Sequence, residues 1–204
     1  MKVKQVLSLL WVCPLAFLCS CAVAGHQFTP PLAEQLEFGK LTPAEALALY
    51  GKPLVKTETV TSDGSFEVYK YTYAEDNVGA INMRQLLLEF KEGKLNGYYY
   101  WSTFDKDKTK VALENVDKLK AGLGKLTKDE VAALAGKPNA KALCPTVLVD
   151  FKDKCEKNTE VWGWLMTDHF SPWGPKKIKT SELYVSFDAD GKASGVNSAS
   201  SNPN

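Results

Sequence analysis

Apolar and polar residues alternate along much of this chain, and helical spacing is confined to short runs. The alternation predicts strands at 54–61, 66–73, 84–90 and 95–102, and again at 146–151, 159–166, 181–187 and 192–197. Ser62-Asp63-Gly64-Ser65, Glu92-Gly93 and Asp190-Gly191 stand between them as turns. Helical spacing appears at 33–38, 42–50, 111–123 and 127–135. The expected fold is therefore α+β: two tandem repeats, each with two short helices packed on its own four-stranded antiparallel sheet. One sheet face should carry the helices and the other should meet solvent or a partner.

The two halves share a motif. Gly39-Lys40-Leu41-Thr42-Pro43-Ala44-Glu45 runs on to Leu49-Tyr50-Gly51-Lys52-Pro53, and Gly124-Lys125-Leu126-Thr127-Lys128-Asp129-Glu130 runs on to Leu134-Ala135-Gly136-Lys137-Pro138 without a gap. Each run predicts a short helix with its start and stop written in. Thr42 and Thr127 fall at the N-cap, with Glu45 and Glu130 at the third helical position, where a capping box forms. Pro43 suits the first helical turn, whose N–H would be unpaired in any case. Gly51 and Gly136 stand where a helix ends with positive φ, and Pro53 and Pro138 forbid continuation. Phe90-Lys91-Glu92-Gly93-Lys94 resembles Phe187-Asp188-Ala189-Asp190-Gly191-Lys192 near the end of each copy. This sets the boundaries of repeat 1 at 32–104, a charged linker at 105–110, repeat 2 at 111–198 and a tail at 199–204.

The run Gly-x-Leu-Thr-x-x-Glu, then Leu-x-Gly-Lys-Pro, then a strand ending in Phe before a Gly-Lys turn, resembles the SmpA/OmlA small lipoproteins, which include component E of the outer-membrane β-barrel assembly machinery. Two copies in one chain look more like the β-lactamase inhibitor protein, a tandem of the same unit. The resemblance implies a small binding module. It transfers no functional residue, because the shared positions are caps and turns.

The first twenty residues change the picture of where the chain acts. Lys2 and Lys4 precede an apolar run from Val6 to Leu18, which is short for a membrane span. Leu18-Cys19-Ser20-Cys21 then resembles the bacterial lipobox, which implies a signal peptide over 1–20, a lipid on Cys21 and a tether over 21–31. Ala22 after the cysteine, by the same resemblance, directs the lipoprotein to the outer membrane, facing the periplasm. The alternative is cleavage after Ala22-Val23-Ala24, which releases a soluble periplasmic or secreted product. With 25 basic and 24 acidic residues, and Lys2 and Lys4 lost with the signal, the mature chain is near neutral, and Arg84 is its only arginine. No nucleic acid partner is expected of such a surface.

Once the signal is removed and Cys21 is lipidated, Cys144 and Cys155 remain in an oxidising compartment, where a disulfide is expected; free thiols or a metal pair are the alternatives. The Asp168-His169-Phe170-Ser171 run lacks the geometry of a triad, and Asp188-Ala189-Asp190-Gly191 fits a hairpin turn better than a calcium loop. No metal or cofactor is expected, and no enzyme. Aromatic residues supply the binding candidates: Tyr69, Tyr71 and Tyr73 on one strand, Tyr98 and Tyr100 within a run of four rings, and Trp162, Trp164 and Trp173 in the second copy. Their other role is as core under the helices and at the joint between copies. Four consecutive rings must occupy both sheet faces, and a second face becomes core only if something covers it. The function expected is a monomeric, non-enzymatic module that binds another envelope protein, as an assembly factor or an inhibitor. A binder of a small ligand, lipid or glycan in the groove between copies is the alternative, and a hydrolase comes third.

Overall fold

The computed structural model describes residues 23–77, 80–152, 154–156, 159–168 and 179–201. The two capped helices form as their sequences dictate. In α1 (Pro43–Tyr50) the Thr42 hydroxyl accepts from the Glu45 amide at 3.3 Å while Glu45 accepts from the Thr42 amide at 2.8 Å. In α3 (Lys128–Ala135) Thr127 and Glu130 repeat both bonds at the same distances. Gly51 and Gly136 end these helices at φ 76° and 81°. The entry to each helix is tied to the sheet in the same way. Gly39 and Leu41 exchange backbone hydrogen bonds with Leu95, and Gly124 and Leu126 do so with Ala193. A bulge precedes Phe90 in one half and Phe187 in the other.

The sheet overturns the expected architecture. Among the described residues there are neither two separate four-stranded sheets nor two full helices per copy. Among the described residues, nine antiparallel strands make one sheet: β1 (Val23–Gly25), β2 (Val55–Thr61), β3 (Gly64–Asn77), β4 (Ala80–Lys91), β5 (Lys94–Ser102), β6 (Ala140–Leu143), β7 (Glu160–Asp168), β8 (Lys179–Phe187) and β9 (Ala193–Ser201). Their order is β1-β3-β4-β5-β6-β7-β8-β9, with β2 also on the outer side of β3. The halves are joined by the β5–β6 ladder, from Gly97 opposite Ala142 to Tyr99 opposite Ala140. Each meander alone would leave a row of unpaired N–H and C=O groups at this edge, and pairing the edges satisfies both rows.

Several local expectations also shift. The run at 33–38 makes only a 3-10 turn at Ala33–Gln35, and 111–123 divides into a 3-10 turn at Leu113–Asn115 and α2 (Val116–Ala121). Such short runs hold few intrahelical bonds for the cost of nucleation. The strand expected at 146–151 is a loop ending in α4 (Val149–Lys152), and the actual strand, β6, lies just before it. Part of the expected tether pairs as β1 with Tyr73–Glu75, and β9 continues past residue 198 to Ser201. Within the expected linker, Asp105–Asp107 forms a 3-10 turn, and the Asp107 side chain is buried against Arg84.

Three cores result. One lies between α1 and the first half of the sheet, and a second lies between α2, α3 and the second half. The third is on the opposite face, where residues 144–156 cover Ala140, Ala142, Val161 and Tyr184.

Candidate functional site

The most elaborately built surface is the loop at 144–156, on the face away from the helices. Cys144 and Cys155 are joined by a disulfide, with their Cα atoms 5.5 Å apart. The bridge therefore closes a loop containing α4, rather than linking two neighbouring strands. Beneath it, Glu89 on β4 is wholly buried and accepts four hydrogen bonds. The Asn96 amide donates at 2.6 Å, the Thr146 hydroxyl at 2.8 Å, and the Val147 and Leu148 backbone N–H groups at 2.7 and 3.0 Å. Burial pushes its carboxyl above the ordinary range, and these four donors pull it back only in part.

Apolar packing completes the clamp. Leu148 lies over Gly97, where a Cβ would come within 3.0 Å of it. The Phe151 ring meets Tyr184 edge-on at 5.7 Å, and the Lys154 ammonium lies 4.1 Å from the centroid of the same Tyr184 ring. Above this base Val149 is 83% exposed. Beside the loop, Leu87 and Tyr99 are half-buried against its core. The next pair of residues along the sheet, Gln85 and Trp101, is half-buried as well.

The aromatic residues singled out from the sequence lie elsewhere. Tyr69, Tyr71, Tyr73, Tyr98, Tyr100, Trp162 and Trp164 are all buried and belong to the two helix-side cores. Tyr71 packs on Tyr50 at 5.7 Å, Tyr69 on Phe90 at 5.2 Å, and Trp162 on Phe187 at 4.9 Å. They do not form an exposed binding surface. Their two-residue period aims them all at the face that the helices cover. Within the run of four rings, Tyr98 and Tyr100 face the helices, while Tyr99 and Trp101 face the loop side. Alternation carried that signal, yet it left the covered face undecided. Trp173, Cys21 and His169 lie outside the described residues.

No protein-family model matches the chain, so the likeness to the SmpA/OmlA lipoproteins rests on the sequence motifs alone. No curated protein matches it either. Among solved structures, the chain is similar to a "putative beta-lactamase inhibitor protein" from Streptococcus mutans, at 13% identity and a TM-score of 0.43, over 78% of this chain and 82% of that one. A likeness this distant carries no argument about function.

Several other polar groups are committed to structure. Arg84 donates to the Phe28 carbonyl at 2.8 Å and to Asp107 at 2.7 Å, beneath the Phe104 ring. It thereby ties the N-terminal segment and the 105–107 turn to β4. Glu160 accepts from Trp162 Nε1 at 2.5 Å and pairs with Lys128, while Lys141 sits 4.0 Å over the Trp162 ring. Burial lowers the Lys141 ammonium from its ordinary value. Asp188 accepts from the Asp190 and Lys192 amides at 3.0 and 2.8 Å, which makes this segment a side-chain-stabilised turn. No cluster of three or more potential metal ligands occurs among the described residues. None of the described helices is long and apolar enough to cross a membrane.

Proposed function

We propose that the mature chain is a non-enzymatic module that binds another protein through the clamped loop and the sheet surface beside it. The observation that carries this reading is Val149: a large apolar side chain, 83% exposed, on a loop held from below by a disulfide, a buried carboxylate and an aromatic contact. Holding a loop in one conformation before contact reduces the ordering cost of association. Tyr99 and Trp101 supply rings of the kind that dominate interface energetics. An inhibitor and an envelope-assembly factor both fit this surface.

The same reading places the module outside the cytoplasm. The Leu18-Cys19-Ser20-Cys21 run supports lipidation at Cys21 and an outer-membrane anchor facing the periplasm. Mass spectrometry of the mature protein should find an acylated N-terminal cysteine; a soluble product beginning at Gly25 overturns the anchor. For the binding face, a photo-crosslinker at Val149 in intact envelopes should capture a defined partner. Trp101→Ala and, with the crosslinker moved to Val147, Val149→Asp should each abolish that adduct while the thermal melt stays in place. An unchanged adduct in both variants rejects this surface as the interface.

A further inference from the structure

A second surface lies on the helix side, at the joint between the halves, and nothing in the protein-binding reading uses it. A groove of about 540 Å³ opens there, within the range of small-molecule sites. Pro31, Leu36, Ala112 and Leu134 give it apolar walls, and Tyr98 and Tyr100 on β5 give it an aromatic floor.

The walls are pinned rather than loosely packed. Asn115 donates to the Leu134 carbonyl at 2.8 Å, and Trp164 Nε1 donates to the Gly136 carbonyl at 3.0 Å. On the other side, Asp107 is held by Arg84. The floor of the groove also carries a hydroxyl. Tyr98 lines the groove, and its hydroxyl makes no hydrogen bond among the described residues. A phenol O–H at the floor of an apolar groove can donate to, or accept from, a ligand that enters it.

The charge around the groove selects the sign of that ligand. Asp107 is neutralised by Arg84, and Lys108 is paired with Asp105. Lys110 and Lys137 line the groove with no salt-bridge partner among the described residues, against a single further carboxylate, Glu114. We infer that this groove binds a small amphipathic anion, with an apolar body against Leu36 and Leu134, its head toward Lys110 and Lys137, and a hydrogen bond to Tyr98.

The test titrates the mature protein by calorimetry with decanoate and with decyltrimethylammonium, which share an alkyl chain and differ in head charge. Decanoate should bind one per chain, and the cation should bind at least about tenfold more weakly. Reversing both exposed charges, Lys110→Glu with Lys137→Glu, should weaken decanoate by about tenfold. Tyr98→Phe should weaken it too, with an unchanged melt. Val149→Asp should leave decanoate binding unchanged, so failure of this inference and failure of the protein-binding reading are separable. Absence of saturable decanoate binding, equal affinity for both heads, or indifference to the double charge reversal overturns the inference.

Discussion

Glu89 and Gly136 show how single residues set the limits of this molecule. Glu89 is a buried carboxylate surrounded by four hydrogen-bond donors. Because burial raises its pKa above its ordinary value of 4.5, the folded chain holds that proton more tightly than the unfolded chain. Its contribution to stability is therefore present at low pH and is lost as pH rises through the raised value. Glu89→Gln should flatten the wild-type stability–pH curve in that window, as measured by urea melts at a series of pH values; an identical curve contradicts the assignment. Gly136 sits at φ 81°, ψ −170°, a region essentially closed to side chains, although a Cβ there would touch nothing within 4 Å. Gly136→Ala should therefore cost about 1–3 kcal/mol from backbone strain alone, as measured by chemical denaturation. At Gly51, φ 76°, an added Cβ would also come within 3.3 Å of the His26 ring.

Among the elements, the loop at 144–156 has the least support from its own sequence. Val147-Leu148-Val149 has the composition of a strand, yet the Val147 and Leu148 amides are taken by Glu89 and cannot join a ladder. Small residues on the sheet below make room for it: Ala140 and Ala142 are fully buried, and Gly97 admits Leu148. Cys144→Ser with Cys155→Ser should lower stability by about 2–3 kcal/mol through release of the closed chain. The same variant should expose Tyr184, which the loop covers by Phe151 and Lys154. Near-ultraviolet circular dichroism and thermal melts measure the two effects. Loss of stability without a change in the aromatic signal contradicts the covering role.

At the scale of the whole molecule, the β5–β6 ladder decides how the chain behaves. Asn139 extends it: its backbone carbonyl accepts from the Tyr100 amide at 2.9 Å, and its side chain exchanges bonds of 2.8 and 2.9 Å with Leu165. The third core also spans both halves, since Val68, Leu87 and Tyr99 pack against residues of β6, β7 and β8. A sheet and a core shared in this way couple the stability of the halves. Calorimetry of the mature protein should show one transition whose calorimetric and van't Hoff enthalpies agree. Two resolved transitions would show that each half is stable by itself.

The amino-acid sequence by itself determined whatever depends on near neighbours. Thr42 with Glu45, Thr127 with Glu130, and the glycines that end both helices act within one turn of chain, so their pattern is readable directly. The hairpin at Glu92-Gly93, the side-chain-stabilised turn at Asp188–Lys192 and the Cys144–Cys155 pairing are equally local. Tertiary structure decided what depends on distant partners. Alternation announced two faces for the rings from Tyr98 to Trp101, but only the placement of the helices and the loop settled which rings are core. Likewise, two repeated meanders carry no local instruction to remain apart. Their facing edges, β5 and β6, joined because hydrogen-bonding groups far apart in sequence are satisfied only by one another, and that choice made one sheet of what the repeat alone describes as two.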